Sequence, residues 1–533
     1  MKGSHLFFAV LFVAIFSLLS ACSSSQSSSS STDDSEKTLV VGRGGDSVSL
    51  DPALPTDGES FKVVRDIFET LVNFNYEKQN TELVNTGLAK KWEISDDGKT
   101  YTFYLRKGIQ FQDGTDFNAK AVVFNFKRWA DPKNKGKIDY YPILFGGFKK
   151  DDIIKSVEAT GKYTVKVTLN HPYAPFLKQL EMPPFSIVSP TALKKWGEDF
   201  GKHPVGTGPF KFVKWKPNNI IVLEKNDDYW KKGLPKLNRV IFKVIKSNRA
   251  RLTALENGEI DLMTGLDPND INEVKNKKGI KVYYRPPLNV GYLGMTVTRK
   301  PFDNRKVRLA MNYAINKKAL VKAFFSDKAK VAVSPLPPTV FGFNSKLDPY
   351  QYNPKKAKKL LAEAGYPNGF KMDLWAMPVP RPYMPNGEKI AQALQADLAK
   401  VGIKAKIVTY DWATYLQKIA QGKADTCLLG WTGGTGGPDA FLTNMFSSSS
   451  IGGNNSSRYS NPKVDQLLKK ARRAGNKEKR KQLYEKIQLL IHKDAPWVPL
   501  VHSTPPLAGR ADLAGFKPQP TGLSALSRVY FQH

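Results

Sequence analysis

The sequence predicts an α/β protein of more than one domain, and three observations carry that prediction. Helical and strand patterns alternate on both sides of two unusual loops, one rich in proline (377–386) and one rich in glycine (430–439). A length of 533 residues is enough to bury more than one sizeable core. No tandem repeat and no long linker follow residue 37, so the domains are expected to interleave rather than to follow one another in series.

The chain opens with an address. Lys2 is a minimal positive start, residues 6–19 are apolar apart from Ser17, and Leu19-Ser20-Ala21-Cys22 follows. The apolar run is short for a membrane-spanning helix, and the small residues before Cys22 read as a processing site. A cysteine directly after Leu-Ser-Ala resembles the bacterial lipoprotein signal, which makes Cys22 the expected lipidated N-terminus. Residues 23–37 are mostly serine, a composition that builds no core and serves as a flexible tether.

Regular structure then begins with a strand over 38–42 and a polar corner at Thr56-Asp57-Gly58, followed by helical spacing over 61–72. Ser95-Asp96-Asp97-Gly98-Lys99 has hairpin chemistry between 88–94 and the alternating strand 100–105. A helix is expected over 122–129, a strand pair over 154–159 and 163–169, and a short helix from Ser189-Pro190, proline suiting a first helical position. Gly206-Thr207-Gly208-Pro209-Phe210 is a tight corner before a strand over 211–215. Further on come a helix over 249–257 closed by Gly258, a short strand over 260–263 and an apolar crossing over 289–296. Helices over 302–315, from Asn353-Pro354, and over 387–399, 412–419, 462–473 and 477–492 alternate with strands over 370–375, 403–408 and 427–429.

Composition narrows the function. Lys and Arg number 81 against 48 Asp and Glu, a net charge of +33. Such a balance suits nucleic acid or an anionic membrane. The basic residues are spread along the chain, however, without zinc-finger spacing or an arginine-rich arm. No nucleic-acid role is expected. The six histidines (His5, His171, His203, His492, His502 and His533) form no metal-binding spacing, so neither a metal site nor a cofactor is expected. Nucleophile-elbow and phosphate-loop sequences are absent. Asp96-Asp97 and Asp227-Asp228 lie in turn-like surroundings and read as surface. Cys427, the only cysteine after Cys22, reads as a small buried hydrophobe. No catalytic residue is identified.

Two loops remain as a binding surface. Gly430-Trp431-Thr432-Gly433-Gly434-Thr435-Gly436-Gly437-Pro438-Asp439 follows a buried strand, and its glycines let the backbone approach a bound molecule closely. In the proline loop, Arg381 is held between Pro380 and Pro382, near Tyr383 and Met377. A guanidinium on a stiff loop loses little entropy when it clamps a carboxylate through two parallel bonds.

The lipoprotein-like start, the 88–128 block, the 206–210 corner, the 226–230 segment, the 302–315 helix and both loops occur together and in order. In this they resemble the peptide-binding solute receptors of ABC importers, extracellular family 5. Trp375-Ala376-Met377-Pro378-Val379, Arg381-Pro382-Tyr383 and Gly430-Trp431-Thr432-Gly433 look most like the dipeptide-binding branch. The resemblance implies a periplasmic-binding-protein-like fold: an N-terminal lobe over 38–288 with a subdomain inserted at about 62–190, a C-terminal lobe over 289–500, and a return to the first lobe over 501–533, with a two-crossing hinge between the lobes. It implies an exported, lipid-anchored, non-enzymatic monomer that captures di- or tripeptides and delivers them to the transmembrane subunits of a permease. By the same resemblance Arg381 would hold the peptide carboxylate. Thr56, Asp57, Gly58, Met377, Tyr383, Gly430, Trp431, Thr432, Gly434 and Asp439 would line the cleft.

One position departs from the family pattern. The aspartate that holds the ligand's ammonium in peptide receptors is replaced here by Gly434. Either Asp57, Asp411 or Asp439 takes its place, or the ligand lacks a free α-amine there. Alternative readings are therefore a receptor for glutathione-like, blocked-amine or haem ligands, or an extracellular hydrolase.

Overall fold

A computed structural model describes residues 37–134, 137–146, 152–326 and 328–532. The signal segment, Cys22 and nearly all of the serine-rich tether lie outside the described residues. Two large mixed sheets carry the α/β architecture. The first, seven-stranded, runs in the order Ile280–Tyr284, Pro506–Arg510, Leu262–Met263, Thr38–Arg43, Arg239–Val244, Ile220–Lys225, Phe210–Lys216. The second, six-stranded, runs Ala329–Val331, Trp497–Ser503, Asn289–Met295, Thr426–Thr432, Lys371–Trp375, Lys404–Val408. A separate four-stranded antiparallel sheet (Ala89–Ile94, Thr100–Leu105, Thr164–Leu169, Ile154–Gly161) is made within the stretch between Thr38–Arg43 and Phe210–Lys216.

Why each sheet is two-faced is visible in the strand Thr38–Arg43. Leu39 and Val41 enter a core with Phe242, Leu223 and Phe68, while Val40 packs on the opposite side against Met263 and Ala508. Side chains alternate across a strand, so two covered faces need apolar residues at consecutive positions. The second sheet has its own core around Val290, Leu293, Leu374, Leu428 and Val498. A third core, with Phe103, Phe126, Trp129 and Val165, sits under the four-stranded sheet.

Helix starts follow the capping chemistry of the sequence. Asp57 opens Gly58–Ile67, Ser189 opens Pro190–Trp196, Asn386 opens Gly387–Ala399 and Asn461 opens Pro462–Arg473, each side chain accepting from a backbone N–H of the first turn. The expected helix over 61–72 begins and ends earlier, because Asp57 caps it and Phe68 is already extended.

The chain passes between the two large sheets at 285–288 and again at 504–505. The second passage lies later than the expected 501. Val501 and Ser503 still pair with Val331 and Ala329 in the six-stranded sheet, which holds the strand three residues longer. Asn289, at the first passage, ties the two together. Its Nδ2 donates to Ser503 O (2.9 Å), and its Oδ1 accepts from Ser503 N (3.1 Å). His502 Nδ1 lies 2.8 Å from Asn289 O.

Candidate functional site

The proline loop joins the strand Lys371–Trp375 to the helix Gly387–Ala399 and lies across one face of the six-stranded sheet. That face is cleared by glycine. A Cβ on Gly291 would stand 2.5 Å from Tyr383 O, and one on Gly430 would fall inside the Tyr383 ring. Gly291 and Gly430 are direct cross-strand partners, so the pair opens a single flat seat for Tyr383. The loop is pinned from both ends of its turn: Arg381 N donates to Met384 O (3.0 Å) and Met384 N to Arg381 O (2.9 Å). Ser503 Oγ donates to Pro382 O at 2.7 Å, fastening the loop to the second passage between sheets.

Arg381 is left exposed on this rigid base. Its guanidinium donates only to the neighbouring Pro380 O (3.2 Å) and lies 5.4 Å over the Trp412 ring. Among the described residues no carboxylate forms an ion pair with it. Tyr383, by contrast, is buried, and so is Met377, whose side chain belongs to the core of the second sheet.

The glycine loop starts later than its sequence suggests. Gly430, Trp431 and Thr432 are still strand, paired with Gly291, Val290 and Asn289, and the chain turns away only at Gly433. The pairing partner Asn289–Met295 extends the strand past the apolar run 427–429. Beyond it the loop meets residues of the other lobe. A Cβ on Gly434 would lie 3.6 Å from Met182 Cε, and Gly436, at φ +60°, is pressed against the Thr81 side chain. Trp431 is half-buried with its Nε1 unpartnered.

The three acids that stand as replacements for the one missing at Gly434 all have local partners. Asp57 Oδ1 accepts from Ser60 N (2.9 Å) and Oδ2 from Ser60 Oγ (2.7 Å). Asp411 caps the helix Trp412–Ala420 through Thr414 N at 3.0 Å. Asp439 is buried at the start of the helix Asp439–Phe446 and accepts from Thr443 Oγ1 at 2.9 Å. Burial raises the Asp439 carboxyl above its ordinary range, against the pull of Arg472. The Arg472 guanidinium acts on Tyr173 as well, and the Arg472 carbonyl accepts from Ala174 N at 2.8 Å. Asp439 therefore sits in a buried cluster where the helices of the six-stranded sheet meet the segment following Thr164–Leu169. Thr56 is exposed, and Gly58 faces open space.

Two further charged groups at this cleft carry no sequence signal. Glu59, beside the 56–58 corner, has Oε1 on Lys62 Nζ (2.7 Å) and Oε2 buried without a partner. Burial opposes its ionisation, yet Lys62, Arg43 and Arg381 together hold it below the usual carboxylate range. Arg285 lies on the first passage between sheets, with Nε and Nη2 unpartnered. Neither position belongs to a motif, and only the closeness of Arg381 and Tyr383 in space marks them. A cavity of about 320 Å³, lined by Arg65, Tyr76, Trp230, Lys517 and Arg528 among others, lies wholly among residues of the first lobe and is separate from this cleft.

Comparison with known proteins adds the following. The family model of bacterial extracellular solute-binding proteins, family 5 Middle, matches residues 84–453, more than half of the chain. A heme-binding protein A of Haemophilus influenzae is 37% identical over 515 residues, covering 93% of this chain and 92% of that protein. A dipeptide-binding protein of Escherichia coli is 38% identical over 505 residues, 91% of this chain and 93% of that one. Among solved structures, an ABC transporter-associated periplasmic binding protein from Helicobacter pylori in complex with peptide STSA superposes with a TM-score of 0.83 at 38% identity, over 93% of this chain and 98% of that chain.

Proposed function

The chain belongs to family 5 of the bacterial extracellular solute-binding proteins, and from that premise we propose that it captures short peptides between its two lobes and delivers them to the permease of an ABC importer. The observation that carries this reading is Arg381. It is presented on a loop locked by its own turn, by the glycine seat under Tyr383 and by Ser503, and among the described residues no carboxylate is ion-paired with it. A preorganised, unpaired guanidinium is suited to a peptide's terminal carboxylate, because the fork is already oriented before the ligand arrives.

The lobes would close over the peptide by rotation about the passages at 285–288 and 504–505, with Asn289 and Ser503 as the fixed point. Main-chain groups at the end of Thr426–Thr432 would pair with the ligand backbone, and a lipid on Cys22 would hold the monomeric protein to the membrane outside the cytoplasm. The protein is a binder rather than an enzyme in this reading. Gly434 favours one variant of it, in which the ligand has no free α-amine at that end or leaves it in water. A buried ammonium without an acceptor would cost several kcal/mol, a figure on the order of that for any unpaired buried charge.

Calorimetric titration of ligand-free protein with Ala-Ala, its C-terminal amide and its N-acetyl form tests this. Arg381→Met should weaken Ala-Ala by about 100-fold, equivalent to roughly 2–3 kcal/mol for a charged hydrogen-bonded pair. The amide should be weak for wild type and variant alike. Equal affinity for acid and amide in the wild type would remove Arg381 from the site.

A further inference from the structure

Arg285 is a cation placed between the lobes with no ion-pair partner among the described residues. Its backbone N–H donates to Pro505 O (3.0 Å), so it lies where the two passages between sheets run side by side. The guanidinium packs against Gly522, where any side chain would collide with Nη1, and Gly522 belongs to the C-terminal segment of the first lobe. From the other lobe comes Tyr383, whose hydroxyl is raised by burial while Arg381 and Arg285 both act to lower it. One tyrosine therefore lies within the field of both guanidiniums. Nε and Nη2 of Arg285 are closed off from solvent without a hydrogen-bond partner, and no acid is among the groups acting on it.

Arg285 is half-buried, and two guanidinium nitrogens closed off from water without an acceptor are unfavourable. They are tolerated where a partner arrives from outside. Arg285 stands at the passage between the lobes and packs against Gly522 of the first lobe, so closing the lobes over an anion would satisfy it. The same cleft lacks the acid that would sit at Gly434. Its unpaired groups thus include donors on Arg381, Arg285 and Trp431.

We propose that Arg285 is a second anion-binding position of the cleft, and that the preferred ligand is a short peptide-like molecule with two carboxylates, one on Arg381 and one on Arg285. This rests on the peptide-receptor reading and narrows its substrate class. An anion at Arg285 also makes closure conditional: closing without one strands the charge, so a neutral ligand closes the lobes less completely.

The test is a titration of ligand-free wild-type and Arg285→Met protein with Ala-Glu, its isosteric amide Ala-Gln, and glutarate. Wild type should favour Ala-Glu over Ala-Gln by about tenfold or more, and Arg285→Met should reduce that ratio to about twofold or less. The ligand-free variant should melt at or above the wild-type temperature, because two closed-off donors without acceptors are gone. Equal binding of the two dipeptides by wild type, or a preference that survives in Arg285→Met, overturns the role of Arg285 and leaves the peptide receptor standing. If neither dipeptide binds, the peptide reading falls, and glutarate decides Arg285 alone. Thermal stabilisation of wild type but not of Arg285→Met supports the anion site; no stabilisation of wild type overturns it. Should Arg285→Met fail to fold, Arg285→Lys keeps the charge without the fork, and the acid preference should shrink but persist. An unchanged preference in that variant counts against the proposal.

Discussion

At the scale of single residues, the site is shaped as much by missing atoms as by present ones. Gly430 has no Cβ because the Tyr383 ring occupies its place, and Gly291 none because Tyr383 O does. Gly430→Ala should therefore push the ring off the sheet, lowering stability by about 1–3 kcal/mol as overpacked sites do. Ligand affinity should fall with it, since Arg381 rides on the same loop; chemical denaturation and calorimetry on the one variant check both. His502 is the other single-residue test. Burial pushes its imidazole down to about 4 from an ordinary 6.5, against the opposing pull of the Asn289 and Ser334 backbones, with Nδ1 2.8 Å from Asn289 O. The unfolded chain binds this proton more readily than the folded one, so the associated stability is complete above about pH 6.5 and is lost as pH falls towards 4. The full loss is on the order of 3 kcal/mol. Asp66 acts in the opposite sense: burial raises it to about 7, so its folded form keeps a proton that the unfolded chain releases between about pH 4 and 7. The measurement is thus the difference between wild type and His502→Gln in denaturant midpoint across pH 4 to 7, which isolates one group. The gap should narrow as pH falls.

At the scale of elements, which segments are helix or strand was largely legible, and their ends and register were not. Asn386 before Gly387–Ala399 and Asn461-Pro462 before the next long helix announce their helices in the sequence, because an Asn side chain satisfies first-turn N–H groups locally. The apolar run 427–429 announces a strand but not its length. Trp431 and Thr432 remain strand because Val290 and Asn289 lie opposite, and those partners are far away in the chain. Assigning Gly430 to a loop follows from glycine's reputation; the structure places it in the ladder, where its value is the open face it leaves for Tyr383. Asp439 reads as a loop residue facing a ligand and is found as the first residue of a buried helix, bonded to Thr443 four positions on.

At the scale of the whole molecule, contacts join the two large lobes away from the passages between sheets. Tyr173 lies within the field of Arg472, Ala174 N donates to Arg472 O, and Gly434 and Gly436 meet Met182 and Thr81. These belong to a closed arrangement. Arg472→Gln removes the charge that compensates buried Asp439 and weakens the join at Tyr173, so the variant should spend more time open. Small-angle scattering should give a larger ligand-free radius of gyration for Arg472→Gln than for wild type, with the two converging at saturating ligand. Identical ligand-free profiles would mean that the Tyr173–Arg472 contact does not hold the lobes together.

What the sequence by itself determined is the part written in local chemistry. Alternating and helical apolar spacing gave the α/β class, Ser189-Pro190 and Asn353-Pro354 marked the starts of their helices, and the order of motifs from 88 to 441 gave the family. The tertiary structure alone decided which groups are left without partners. Asn289 finds Ser503 across 214 positions, Tyr383 settles on glycines from two different strands, and Arg285 packs against Gly522 with two nitrogens unpartnered. Hydrogen-bond satisfaction is a property of three-dimensional neighbourhoods: a residue's type states what it can bond, and only the fold states whether a partner is within reach.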